Sequence, residues 1–347
     1  MQISNPSTSL QAQVQSRFSL EHLISETAVE TFKQAEYQAV IQGLTQTPKT
    51  LPPKYFYDDQ GSQLFEQICE LPEYYPTRTE ASILHAYAGD IARLTGPCEL
   101  VELGSGSSTK TRILLDAYQQ LGHPLRYVPV DVSGGILETS AYQLLADYPT
   151  LQIQGLVSSY ELALQYLQPT TLPSRMIAFL GSTLGNLNPT ECDQFFAEVK
   201  TALQPGDYLL LGVDLQKSIE VLEAAYNDSQ GVTAAFNLNM LQHLNHRFDG
   251  NFDLNQFEHW AFYNAQQHQI EMHLRSCQPQ TVDLRQLNLT IQLAAEETIH
   301  TEISRKFNLL NLTSYLETLQ LKTIQTWTDP NQWFGMMLCQ FVETVSA

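Results

Sequence analysis

Positive charge is scarce in this 347-residue chain: 18 lysines and arginines stand against 37 aspartates and glutamates, a formal balance of −19. Nucleic acid and anionic membrane both require clustered Lys and Arg, so neither is expected as a partner. Long apolar runs are missing as well. No stretch approaches the roughly 18 to 20 residues of a membrane span, and residues 1–20 are polar, with no basic segment leading into an apolar one, so no secretory leader is expected. The five cysteines, Cys69, Cys98, Cys192, Cys277 and Cys339, are odd in number, well separated and form no C-x-x-C pair. That usage fits reduced, buried thiols and a cytoplasmic location. There is no H-E-x-x-H or cysteine cluster, and His243 and His246 are merely three apart on a polar helix, so no metal site is expected. A G-x-S-x-G elbow is absent too, which argues against a Ser-His-Asp hydrolase built on one.

What is present centres on residues 98–110, C-E-L-V-E-L-G-S-G-S-S-T-K. A short apolar run ends in Glu102, then Gly104 and Gly106 follow, then a helical pattern from Thr111 to Ala117. Strand, tight turn and helix are the expectation. The glycines permit the turn and remove side chains where a cofactor approaches, and Glu102 supplies negative charge at the strand end. A dinucleotide fingerprint needs a third small residue three places after the second glycine; Thr109 stands there, which disfavours NAD. S-adenosylmethionine, a sulfonium without phosphate, suits an acid-x-Gly-x-Gly turn better. Asp131 lies 25 residues beyond Gly106, near the spacing of roughly 20 at which an acid meets a ribose hydroxyl. Alone, such an aspartate is equally a turn former.

Around that unit the pattern alternates. Residues 1–20 read as a loosely attached arm and Phe18–Leu44 as helical; Thr77 and Glu80 read as a capping box for a helix closed by Gly96. Strands are expected at 125–131, 151–157, 175–180 and 207–214, with helices between them, the last capped by Asn188. This describes a doubly wound, mostly parallel α/β sheet. After Asp214 the pattern changes to two helices and several strand-like stretches up to residue 306, then returns with a helix and two strands, the last pair antiparallel across a short turn. The expected organisation is 1–78 as an arm and part of a substrate domain, 79–215 as the cofactor domain, 216–306 as an inserted α+β substrate-binding domain, and 307–347 as a return to the sheet.

Several stretches together resemble a known family: L-P-P-K-Y-F-Y-D from Leu51, P-E-Y-Y-P-T-R-T-E from Pro72, the glycine turn itself, P-V-D-V-S from Pro129, G-S-T-L-G-N ending at Asn186, Ala225–Tyr226 with 231–237, and T-E-I-S from Thr301. They are similar to the L-histidine Nα-methyltransferases of ergothioneine biosynthesis, over nearly everything from about residue 30 onward. The resemblance implies a class I, Rossmann-like methyltransferase that trimethylates L-histidine to hercynine with S-adenosylmethionine and no metal; a monomer is expected, although the sequence does not give the oligomeric state. It implies cofactor contacts at Glu102, Gly104, Gly106, Lys110, Asp131, Ser159 and Tyr160. Ser159 departs from the family's usual acid before an aromatic, so the adenine amino group would meet a hydroxyl without charge. Substrate contacts fall on Tyr74, Asn186 and Tyr226 around the carboxylate, Tyr57 lining the pocket, Glu302 and Ser304 at the imidazole, and Met272 packed against the ring. No residue becomes covalent; Tyr57 and Asn186 position. Taken alone, Glu302 reads as a solvated charge. Two rival expectations are methylation of another amino acid such as tryptophan, and a cofactor-binding subunit without turnover.

Overall fold

The computed structural model describes residues 16–23 and 26–343. Among them are fourteen strands: β1 (Phe18–His22), β2 (Lys49–Thr50), β3 (Cys98–Leu103), β4 (Arg126–Asp131), β5 (Gln152–Val157), β6 (Ser174–Phe179), β7 (Tyr208–Asp214), β8 (Phe257–Asn264), β9 (Gln269–Ser276), β10 (Gln280–Leu284), β11 (Leu289–Leu293), β12 (Thr298–Arg305), β13 (Leu321–Thr328) and β14 (Phe334–Phe341). Eight of them form one sheet in the order β1-β5-β4-β3-β6-β7-β14-β13. All pairings are parallel except those of β14 with β7 and β13. This is the expected doubly wound, mostly parallel sheet with an antiparallel last strand. Every residue of β3 and β6 is buried, because helices cover both faces of a parallel sheet and leave its central strands no polar side. The order of the chain reverses between β3 and β6, so the crevice for a ligand opens beyond their carboxyl ends, at Gly104 and Gly181.

Two local expectations are corrected. Phe18–His22 is not helical; it is an edge strand in register with β5 from Phe18↔Ile153 to His22↔Val157. Its F-S-L-E-H pattern has period two, and Leu20 packs where Gly155 leaves room, its Cδ1 lying 2.8 Å from the place of a Cβ. Of the expected arm, residues 1–15 lie outside the described ones. Thr77 and Glu80 form no capping box. The helix Pro76–Thr95 starts on proline, whose missing N–H needs no cap. Thr77 Oγ1 donates instead to Cys69 Sγ at 3.4 Å, and Glu80 turns inward, wholly buried. The helix does end at Gly96, with φ +63°, and Asn188 with Glu191 does form the capping box of the helix Pro189–Ala202.

A second sheet, β2-β12-β9-β8, and the hairpin β10–β11 lie beside the first. They share one apolar core with early residues: Leu44, Phe56 and Tyr75 pack with Tyr226, Phe236, Met272 and Ile299. The early segment and residues 216–306 thus contribute to one core although they are far apart in sequence.

Candidate functional site

At the cofactor end, Gly104 and Gly106 have φ of +70° and +49°, and a Cβ built on either meets nothing within 4 Å. The turn is left-handed, as glycine allows, and opens onto free space. The Asp131 carboxylate accepts from the Gly106 N–H and the Ser133 N–H, each at 3.0 Å. It thus sets the turn, while each oxygen keeps a lone pair for another donor. The hydroxyls of Ser105 and Ser158 are buried beside these strand ends without a hydrogen-bond partner. Open space, unpaired hydroxyls and a carboxylate with spare acceptor capacity fit a polar, hydroxyl-bearing ligand such as S-adenosylmethionine.

Ser159 and Tyr160 stand at the start of the helix Tyr160–Tyr166, where Ser159 makes no side-chain cap bond and the Tyr160 ring packs on Phe179 and Phe195. Glu102, expected at the cofactor, lies near the carboxyl end of β3. It is buried, takes hydrogen bonds from Thr111 and from Tyr127 (2.5 Å), and burial raises its pKa to about 7. Lys110 is ion-paired with Glu80, whose two oxygens also accept from the Gly181 N–H at 2.8 and 3.0 Å. Glu80 therefore ties the turn after β6 to the helix after β3, across the crevice floor.

The second sheet is stitched to this crevice through β12. Gln216 N–H donates to the Phe307 carbonyl at 3.0 Å, and Phe307 N–H to the Asp214 carbonyl at 2.8 Å. The turn Thr183–Asn186 lies directly under β12: a Cβ on Gly185 would sit 2.9 Å from the Arg305 carbonyl oxygen and 3.2 Å from its nitrogen. Backbone cannot yield as a side-chain tip can. Gly185→Ala is therefore expected to part the two sheets and raise the KM for the amino acid at least tenfold, with cofactor affinity, measured by calorimetry, within about twofold of wild type.

What β12 delivers depends on one irregularity. His300 pairs with His273 but Glu302 pairs with Met272, so a bulge at Thr301 shifts the register. Thr301 Oγ1 secures it, bonded to Asn237 Oδ1 (2.9 Å) and the Met272 carbonyl (3.0 Å). In an unbroken ladder Glu302 would share the outer face with His300. The extra residue moves Glu302 and Ser304 to the inner face, beside Met272 and Ile270.

There Glu302 lies within electrostatic reach of Tyr57, Tyr74, Tyr226 and Lys306. No described residue hydrogen-bonds its carboxylate, and burial raises its pKa to about 7, with Lys306 pulling the other way. Tyr57 exposes 47 % of its surface although its ring touches Phe56, Phe65 and Phe236. A side chain both wetted and surrounded lines an open concavity. Tyr74 meets Tyr226 edge-on at 6.2 Å. Desolvation among the surrounding rings raises the pKa of Tyr57, and burial raises those of Tyr74 and Tyr226, so all three are neutral phenols at pH 7. Asn186 ends the turn under β12, partly buried.

Ser304 Oγ accepts from Tyr226 Oη (2.8 Å) and from Lys306 Nζ (2.9 Å), so its own proton remains to be donated. The Tyr226 hydroxyl, expected at a ligand's carboxylate, donates here to Ser304. Lys306 also reaches Tyr226 Oη at 3.1 Å and Asp214 at 2.8 Å. Asp214 is further held by Lys217 (2.5 Å) and Tyr75 Oη (2.7 Å). Despite burial, which favours its neutral form, the two lysines hold the Asp214 carboxyl below its ordinary range. Sequence reasoning missed this network. Lys306 was signalled: Glu302, Ser304 and Lys306 sit at i, i+2 and i+4, one face of a strand. Glu80 and Lys217 carried no comparable signal.

Comparison with known proteins identifies the family. Residues 36–341 match the family described as histidine-specific, S-adenosylmethionine-dependent methyltransferases. The chain is 43% identical to a histidine N-alpha-methyltransferase of Mycolicibacterium smegmatis over 317 residues, 91% of this chain and 97% of that one. It is also 43% identical to the histidine N-alpha-methyltransferase of Mycobacterium tuberculosis over 302 residues, 86% and 92% of the respective chains. An L-tryptophan methyltransferase of Psilocybe serbica is 26% identical over 318 residues, 84% of this chain and 88% of that one.

Proposed function

The chain belongs to the family of S-adenosylmethionine-dependent, histidine-specific methyltransferases, and from that premise we propose how its residues divide the work. The reaction is successive methylation of the L-histidine α-amine to the trimethylated betaine, which opens ergothioneine biosynthesis. The donor, when bound, supplies an electrophilic methyl on sulfur, and the amine's lone pair forms the new N–C bond as the C–S bond breaks. Gly104, Gly106, Asp131, Ser159 and Tyr160 line the place for that donor at the ends of β3, β4 and β5.

The chain's own contribution is placement. Glu302 accepts from the imidazole N–H and Ser304 donates to the other ring nitrogen, a matched pair for a ring with one donor and one acceptor. Met272, opposite Glu302 and buried, supplies a soft apolar floor. Tyr74 and Asn186 take the carboxylate, and Tyr226 with Lys306 holds Ser304. The phenols stay neutral, so none serves as a base at pH 7. None is required, since an α-amine with a pKa on the order of 8 to 9 is accessible as the free base. Aromatic faces of Tyr57 and Tyr74 favour the growing ammonium cation.

The observation that carries this assignment is the Glu302 carboxylate, turned by the bulge into a tyrosine-lined pocket and left without a hydrogen bond from any described residue. Mass spectrometry of L-histidine incubated with enzyme and methyl donor is expected to show one, two and three added methyls. Product from L-tryptophan with none from L-histidine would overturn it.

A further inference from the structure

The bulge that turns Glu302 inward leaves His300 on the opposite face of the same sheet. There it pairs directly across from His273, and Glu271, two residues earlier on β9, shares the face. We propose that Glu271, His273 and His300 form a binding site for a divalent first-row transition ion, with Zn2+ as the type, on the sheet face away from the substrate pocket.

The donor set is a carboxylate and two imidazoles, the composition such ions take. One donor atom from each residue lies within 4.8 Å of the others. His273 Nε2 is 3.4 Å from Glu271 Oε2. Two ligands at about 2.0 to 2.1 Å from a tetrahedral ion stand about 3.3 to 3.4 Å apart, so that edge already has the length an ion requires, with a His300 ring nitrogen within 4.8 Å of both. Support from the surroundings is in place. Glu271 Oε1 accepts from Asn264 Nδ2 at 2.8 Å and Gln269 Nε2 at 2.9 Å, which turns Oε2 toward the imidazoles. Phe262 stacks on His273 with rings 5.6 Å apart and 13° between planes, and Trp260 lies at 5.3 Å.

Two atoms make a purely packing role costly. His300 Nε2 and His273 Nδ1 are buried with no hydrogen-bond partner, and an orphaned buried nitrogen destabilises a fold unless a ligand satisfies it. An ion bound through His300 answers the first of them. It would also fasten β9 to β12 beside Thr301, and so stiffen the strand that presents Glu302. The absence of contiguous motifs did not reveal the set because antiparallel pairing, not sequence spacing, assembles it.

The site is tested without histidine or methyl donor, so its failure and that of the catalytic reading are separable. Untagged full-length protein, stripped with chelator, is titrated with Co2+. One equivalent should bind with the visible absorption of a nitrogen- and oxygen-ligated ion, and one equivalent of Zn2+ should displace it. His300→Gln and Glu271→Gln should each weaken Co2+ binding at least tenfold, while His246→Gln leaves it unchanged. Binding of S-adenosylhomocysteine reports folding of each variant; should His300→Gln fail that check, Glu271→Gln decides. No saturable one-equivalent binding, or affinity unaltered in the folded variants, overturns the proposal.

Discussion

Glu302→Ala should lower kcat/KM for L-histidine about 100-fold, with S-adenosylmethionine affinity within about twofold of wild type. The variant removes the acceptor for the imidazole N–H, a hydrogen bond to a carboxylate in a shielded pocket, worth about 3 kcal/mol once the unpaired ring N–H is counted. The groups proposed to hold the cofactor, Gly104, Gly106 and Asp131, lie at the strand ends of the other sheet. Calorimetry with S-adenosylhomocysteine separates the two effects. Parallel loss of both affinities would mean that Glu302 supports the fold rather than the substrate.

The same carboxylate has a stability signature whose sign can be worked out. Its pKa is raised from 4.5 to about 7 by burial. The folded state therefore holds a proton that the unfolded chain releases near pH 4.5, and stability falls as pH rises from about 4.5 to 7, then levels. Glu302→Gln removes the ionisation and should stabilise the protein by about 1 to 3 kcal/mol at pH 8 and by less than 1 kcal/mol at pH 5 in urea unfolding. An equal effect at both pH values would show that the carboxylate is solvated.

Lys306→Met should give the largest loss of stability among single substitutions at the site. Its side chain is fully buried, and it donates to Asp214, Tyr226 and Ser304. Burial works to lower its pKa, but Asp214 and Tyr226 outweigh that and hold it charged. Removing one partner of a buried charge network leaves the rest uncompensated, at a cost of about 3 to 5 kcal/mol. Lys217 and Tyr75 still serve Asp214, which favours the lower end. Urea unfolding checks the stability. The KM for histidine should also rise about tenfold or more, since Ser304 loses one of the two bonds that orient it, while cofactor affinity holds. A stability loss with an unchanged KM would reduce Lys306 to a structural role.

Much of this was legible from residues alone, and what was not has physical reasons. Alternating strands and helices announced the doubly wound sheet, because periods of 2 and 3.6 are local. The final antiparallel pair followed from a short turn. Glu302 and Ser304 were readable as sharing a face, yet nothing in T-E-I-S tells which face, because that depends on whether Thr301 occupies a ladder position or bulges out of it. The bulge is a tertiary event, fixed by Asn237 from a distant helix. Glu80 was misread as a cap because S/T-x-x-E has a local meaning, while its partners Gly181 and Lys110 lie far along the chain. Phe18–His22 was hidden by the helical segment it precedes, since an edge strand is defined by its neighbour β5.

The account turns on the imidazole meeting Glu302 and Ser304 on the inner face of β12. A crystal structure with L-histidine and S-adenosylhomocysteine measures this directly. One ring nitrogen should lie about 2.6 to 3.2 Å from a Glu302 carboxylate oxygen, the other at like distance from Ser304 Oγ, and the α-amine should face the sulfur. A histidine bound with its ring elsewhere, and Glu302 contacting only protein or water, would contradict it.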